Sequence, residues 1–309
     1  MPLSRRDVLM AAPMAMGAWR AAAASAPALR FPSAPRERLA VASYPFRAFI
    51  DSPRNRTRTP QGTLMDIKEF PAMVAARFQI RGVELLGEHI RSTEPAYLRE
   101  LRAAVKDAGS RVVNIPTSLG ASVCDPDSAR RALAVQNAKK WIDAATALDC
   151  PSVRVHIQRA GSASPDTALS AESLNAIAQY GASQNVVVNL ENDDPGSEDA
   201  FFLAKVIDQV NSPWLRALPD FCNSMLGGDE KFNYDAVTAM FRRAYNIAHV
   251  KDSEVDHGKV FRVDLGRTFA IAQTSGYKGF FSMEFEGEGD PYSGTQKLID
   301  ESVKYLAGK

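Results

Sequence analysis

With 309 residues, 45% hydrophobic and 24% charged, the chain is long enough for one large core, and an α/β barrel uses this length as a single domain. A formal net charge of +1 and a pI near 7.7 supply no global field for nucleic acid or an anionic membrane. Cys124, Cys150 and Cys222 are an odd, scattered set that builds neither a disulfide framework nor a CxxC zinc site.

The first 28 residues read as an export signal. Arg5 and Arg6 precede a mildly apolar run over 8–19, and small residues fill 21–28. Charge, apolar run and small-residue site in that order suit a twin-arginine signal, which predicts export, for instance to the periplasm. The run is too short and too rich in Ala and Gly to span a membrane. Cleavage is expected after Ala28, which avoids leaving Pro27 as the first residue; Ala26 is the alternative. The predicted layout is therefore a signal over 1–28, a linker over 29–37 and one domain over 38–309.

From there strand-like and helix-like segments alternate. A strand at 39–46 leads into a basic loop with Arg47, Arg54, Arg56 and Arg58, then a helix at 66–78. A strand at 82–86 precedes a helix at 93–108, stopped at Gly109. A strand at 112–116 and a helix at 127–148 follow, then a strand at 152–157 and a helix at 170–183. The fifth strand, 186–191, leads to a helix at 197–210 with a capping-box-like start at Ser197. Strands at 215–220, 247–252 and 280–285 alternate with helices at 233–245, 265–275 and 296–307. Eight such units predict a single-domain (β/α)8 TIM barrel. A doubly wound open sheet is the alternative. It would carry a Gly-rich phosphate loop after strand one and would gather its polar residues at one switch point, whereas here they end most strands.

Four acceptor side chains close the later strands: Glu191, Asp220, His249 and Glu284. An unpaired carboxylate in apolar surroundings is costly, so four on successive strands imply a shared partner, most economically a divalent ion. Barrel geometry brings C-terminal strand ends to one mouth, so these four are expected to meet. Glu84 and His156, from strands two and four, should face them across the cavity. Lys251 shares His249's strand parity and can reach a substrate oxygen. Tyr44 and Phe46 are candidates for an apolar wall against a sugar's C–H face, and the loop 47–58 is either a clamp for an acidic substrate or a solvated lid.

The stretches Asn189-Leu190-Glu191-Asn192, Asp220-Phe221-Cys222-Asn223, His249-Val250-Lys251-Asp252 and Met283-Glu284-Phe285-Glu286-Gly287 resemble the xylose-isomerase-like TIM-barrel superfamily of sugar (phosphate) isomerases and epimerases. The resemblance implies that Glu191, Asp220, His249 and Glu284 ligate one divalent ion (manganese, magnesium, cobalt or zinc). Three carboxylates and an imidazole suit such ions. It also implies a Glu191/Glu284 acid/base pair that moves a proton beside a carbonyl through a metal-stabilised enediolate. The ketose 3-epimerase branch has a histidine where Asn223 stands, a glutamate where Ser197 stands and an arginine where Val255 stands. The substrate-facing set expected here is instead Glu84, His156, Asn223 and Lys251.

The leading expectation is a metal-dependent isomerase or epimerase of a sugar or sugar-like polyol. A cyclitol or keto-sugar dehydratase would use the same metal site. A non-catalytic carbohydrate-binding barrel would bind sugar without turnover. An apurinic endonuclease needs a histidine-rich three-metal cluster, and four histidines with Asn223 at one expected ligand position argue against it. The expected partner is a small carbohydrate-like molecule, with no nucleic acid and no membrane span; a homo-oligomer is compatible with all of this.

Overall fold

A computed structural model describes residues 25–55, 62–161 and 164–308. Eight parallel strands form a nearly closed barrel: β1 (Leu39–Ala42), β2 (Gly82–Glu84), β3 (Arg111–Thr117), β4 (Ser152–Val155), β5 (Val187–Glu191), β6 (Leu215–Leu218), β7 (Ile247–Val250) and, last in the chain, β10 (Phe280–Met283). Their spatial order is β6-β5-β4-β3-β2-β1-β10-β7. The ends meet through parallel bridges Ala217↔Ala244 and Asp220↔His249, where His249 N donates to Pro219 O at 2.9 Å. This is the expected (β/α)8 architecture, with helices α1 (Phe70–Phe78), α2 (Pro95–Asp107), α3 (Ser128–Ala147), α4 (Thr167–Gln184), α5 (Ala200–Val210), α6 (Glu230–Phe241), α7 (Leu265–Thr274) and α8 (Pro291–Leu306) around it. No helix among the described residues is long and apolar enough to cross a membrane. Residues 1–24, most of the predicted signal, lie outside the described residues.

Strand residues pack inward between barrel and helices; Val41, Val83, Ile115, Val153, Val188 and Ala248 are fully buried in one continuous core. The floor has its own small cluster of Ala40, Val113, Leu218, Ile247 and Phe280, against which Phe31 packs. Phe31 meets Tyr245 and Phe280 edge-on, with centroids at 5.5 and 5.8 Å. Trp214 Nε1 donates to Ser25 O, and Tyr245 Oη to Pro27 O. Residues 25–31 therefore strap the floor.

Among the differences from the sequence reading, three features have a plain physical reason. Strand one stops at Ala42 because Ser43 turns helical (ψ −12°) and Pro45 starts a 3-10 turn over Tyr44–Phe49. The Ser197 start is not a cap: Asp199 caps α5, accepting from the Phe201 and Phe202 amides. A β-hairpin, β8 (Ser253–Asp256) with β9 (Lys259–Arg262), rises between β7 and α7. Its two-residue turn places His257 at φ 48° and Gly258 at φ 77°, the left-handed pair that matches strand twist.

Loops after β1 and β2 are joined by a buried histidine. His89 is fully buried and its Nδ1 lies 2.9 Å from Ser43 Oγ. Burial, with Arg47 nearby, holds its imidazole down at about 3. The neutral ring is therefore favoured by the fold. Stability from this group is complete above the ordinary histidine value and is lost as pH falls from there towards the depressed one. At about pH 5 the loss should be about 2 kcal/mol. Denaturant titration at neutral and acidic pH should show the native protein losing that much more than His89→Gln; identical pH slopes would refute it.

Candidate functional site

The barrel mouth brings Glu191, Asp220, His249 and Glu284 together. Each is buried, and each offers one ligand atom within 4.8 Å of all the others. Backbone contacts hold the four in register. Asp220 N donates to Asn192 Oδ1, and Asn192 Nδ2 returns a bond to Asp220 O, so the residue after Glu191 clamps the Asp220 strand end. Glu284 N donates to Val250 O at 3.1 Å. His249 Nδ1 lies 2.7 Å from Glu191 Oε1 and 2.9 Å from Glu284 Oε2.

Asp220 Oδ1 accepts from the amides of Cys222 and Asn223, but Oδ2 is buried with no hydrogen-bond partner; Lys251 Nζ is 3.8 Å away. A buried carboxylate oxygen without a donor is costly. Burial pushes the Asp220 carboxyl up to about 8, opposed by Lys251. For Glu284 burial also pushes upward, but His249 and Lys251 outweigh it and hold the carboxyl below its ordinary value. Burial opposes charge on His249, yet Glu191, Glu284 and Glu84 overcome it and raise the imidazole. Three carboxylates and an imidazole converging on one point, with an orphaned oxygen among them, fit a divalent cation.

Glu84 sits elsewhere than expected. It does not line the cleft; it lies beneath His249, with both carboxylate oxygens 3.0 Å from Nε2. Asn114 Nδ2 donates to Glu84 Oε1, Ser152 Oγ to Asn114 Oδ1, and Asn246 Nδ2 to Ser152 Oγ, forming a polar chain inside the barrel. The reason is depth. The three-residue β2 stops at Glu84, and Asn114 and His249 hold its side chain inside the barrel. Phe46 also leaves the expected wall: it packs outside the barrel on Phe70, Phe78 and Tyr292. Tyr44 stays, lining the cleft.

The cleft holds about 1050 Å³ and is lined by Glu191, Glu284, His156, Asn223 and Lys251, among others. Lys251 Nζ donates to Asn223 Oδ1 at 2.9 Å and Glu254 Oε2 at 3.2 Å, contacts Glu286, and lies 3.6 Å from Glu284 Oε2. Burial works against its charge, but Asp220, Glu286 and Glu284 keep it protonated well above the usual range. It is therefore a cation that donates hydrogen bonds, not a nucleophile. Arg154 Nη2 pairs with Glu191 Oε2 at 2.8 Å, and His156 Nδ1 lies 2.9 Å from Glu198 Oε2. Glu198 also accepts from Ile157 N at 2.7 Å.

Glu198, Glu254 and Asp193, which lies 3.7 Å from Arg154 Nη1 and 3.6 Å from His156 Nδ1, were not singled out by the sequence. Glu198 read as part of a helix cap, but the cap moved to Asp199 and freed it; it stands one residue beyond Ser197, where the epimerase pattern places a glutamate. Glu254 comes from the hairpin, whose alternation of Ser253, Glu254, Val255 and Asp256 carries little apolar signal. Of the basic loop, Arg47 and Arg54 line the cleft, while Arg56 and Arg58 fall outside the described residues.

Residues 73–308 match the family described as xylose isomerase-like TIM barrel. The chain belongs to that family. Solved structures similar to it include D-allulose 3-epimerase from Methylomonas sp., 15% identical with a TM-score of 0.65, covering 91% of this chain and 99% of that one. The probable 3-DHS dehydratase of Bacillus anthracis is 15% identical with a TM-score of 0.60, covering 87% and 98%. A xylose isomerase-like TIM barrel protein from Mycobacterium smegmatis, solved in complex with magnesium, is 14% identical with a TM-score of 0.66, covering 90% and 99%. No curated protein sequence matches the chain. At these identities the structural likeness establishes the fold.

Proposed function

We propose that the protein is a divalent-metal-dependent isomerase or epimerase of a sugar or sugar-like polyol. The observation that carries the reading is the convergence of Glu191, Asp220, His249 and Glu284 at one point, with Glu191 and Glu284 opening onto a cleft of about 1050 Å³, large enough to enclose a sugar. Those four residues would hold the ion, which when bound would polarise a substrate carbonyl and so acidify the adjacent C–H. Glu191 and Glu284, on β5 and just past β10, reach the same point from different strands. In this reading they take a proton from one face of the substrate and return it to the other. Lys251, held protonated by its acidic neighbours, and Asn223 offer donors to substrate oxygens. His156, steadied by Glu198, offers a further polar contact.

Similarity to an epimerase and to a magnesium-bound family member supports this reading. The dehydratase neighbour supports the second one, in which the same proton abstraction is followed by loss of a hydroxyl. The N-terminal twin arginine further leads us to infer that the protein is exported. Incubating the metal-loaded protein with keto-sugars, cyclitols and their acids in deuterium oxide tests the reaction. Deuterium entering one carbon of an otherwise intact sugar supports the isomerase; label together with loss of water supports the dehydratase; binding with no label in any member leaves only a carbohydrate-binding barrel.

Glu84 is assigned here as the residue that orients His249. With Nδ1 turned to the cluster, Nε2 donates downward to the Glu84 carboxylate, which fixes ring rotation and raises the ligand's basicity. Glu84→Gln should keep the fold but weaken metal binding about 10- to 100-fold in a chelator competition. Unchanged affinity would remove Glu84 from the site's support.

A further inference from the structure

The mouth is divided by chain order. The four cluster residues come from β5, β6, β7 and β10, one half of the ring. The other half, the loops after β1 to β4, contributes Arg47, Arg54 and Arg159 to the same cleft. Arg159 is tethered to Asp194 at 3.5 Å. Arg47 and Arg54 have no carboxylate partner among the described residues. Each lies over an aromatic ring: Arg47 4.2 Å from the Tyr44 centroid, and Arg54 5.6 Å from that of Trp141.

The rim around these side chains is shaped for them from both halves. A Cβ on Gly87 would stand 2.9 Å from Trp141 Cη2, so glycine there lets the indole press against the loop after β2. A Cβ on Gly196 would fall 1.1 Å from Arg159 Nη2, so the guanidinium occupies space that any other residue would take. Neither glycine has a positive φ; both are small to make room. The loop after β1 is pinned by Asn55 Nδ2, which donates to Arg47 O and Ile50 O.

We propose that this half of the cleft is a carboxylate subsite, so that the substrate is a sugar acid whose anionic group lies between Arg47 and Arg54 while its carbonyl end faces Glu191 and Glu284. Arg47 Nη1 donates to Tyr44 O at 3.1 Å, which fixes that guanidinium beside its own ring and leaves its other donors, with those of Arg54, for a carboxylate's two oxygens. The opposite half carries Glu191, Glu284 and Glu286, against Glu88 on the arginine half, so charge repulsion favours entry of an acid with its anionic group on the arginine side. The volume leaves room for a ring between the two ends. This assignment rests on the sugar-isomerase reading for the carbonyl end only.

Equilibrium binding to the metal-loaded full chain tests it, with D-glucuronate and D-galacturonate against D-glucose, D-galactose and glucose 6-phosphate. Each uronate should bind about tenfold or more tightly than its neutral hexose, and the gap should narrow as salt rises. Arg47→Gln/Arg54→Gln should lose that gap while keeping the hexose affinity and the thermal midpoint. Equal binding of acid and hexose, a gap that survives in the double variant, or tighter binding of the phosphate than of the uronate overturns the subsite. These outcomes are read without turnover. Selective uronate binding with no deuterium exchange would refute the reaction and not the subsite; exchange on neutral sugars alone would do the reverse.

Discussion

Glu284→Gln should reduce substrate-dependent deuterium exchange by about a thousandfold while leaving sugar binding nearly intact. The carboxylate is 6% exposed, faces His249 and Lys251, and is held ionised by them, so it stands ready as a base. Glutamine is nearly isosteric and keeps an oxygen for a cation, but it takes up no proton. Measured beside metal content, the exchange rate separates the roles. Lost exchange with retained metal places the proton transfer at Glu284. Exchange at the native rate would move it elsewhere and leave Glu284 a ligand only.

His249→Ala should have the largest effect on the molecule as a whole. The imidazole lies between Glu84 on one side and Glu191 and Glu284 on the other, and all three carboxylates are at least nine-tenths buried. Removing it leaves like charges facing one another in a dry barrel, so the metal-free variant should lose about 3–5 kcal/mol of stability. It should also purify with almost no divalent ion by elemental analysis, where the native chain carries about one. Glu191→Gln should lose the ion with a smaller stability cost, because the near-isosteric amide still fills the site and keeps an acceptor for Arg154. Full metal retention in both variants would rule out the four-residue site.

How far the chemistry was legible depended on where each residue stands relative to its strand. Glu191, Asp220 and Glu284 each end an apolar run and His249 stands one residue short of its strand's end, and in a barrel a strand end has only one destination. Local pattern therefore sufficed to bring them together. Glu84 also ends a strand, but parity and position along the chain do not encode depth; only the folded structure, with both Glu84 oxygens 3.0 Å from His249 Nε2, shows where it lies. Glu198 and Glu254 were hidden for a different reason. Their neighbours form a loop and a short polar hairpin, where the contacts of a side chain follow from the path of the backbone and not from any periodicity.

The sequence by itself determined the alternation of eight strands and helices, the family, and the four acceptors at the mouth, because burial patterns and strand-end polarity are local properties. The tertiary structure alone decided that His249 is gripped from below by Glu84, that Lys251 is surrounded by acids from three separate segments, and that two arginines from the first loop face the cleft. Those arrangements join residues up to 165 positions apart. Their energies depend on distance and burial in the folded state, quantities that exist only once the barrel has closed.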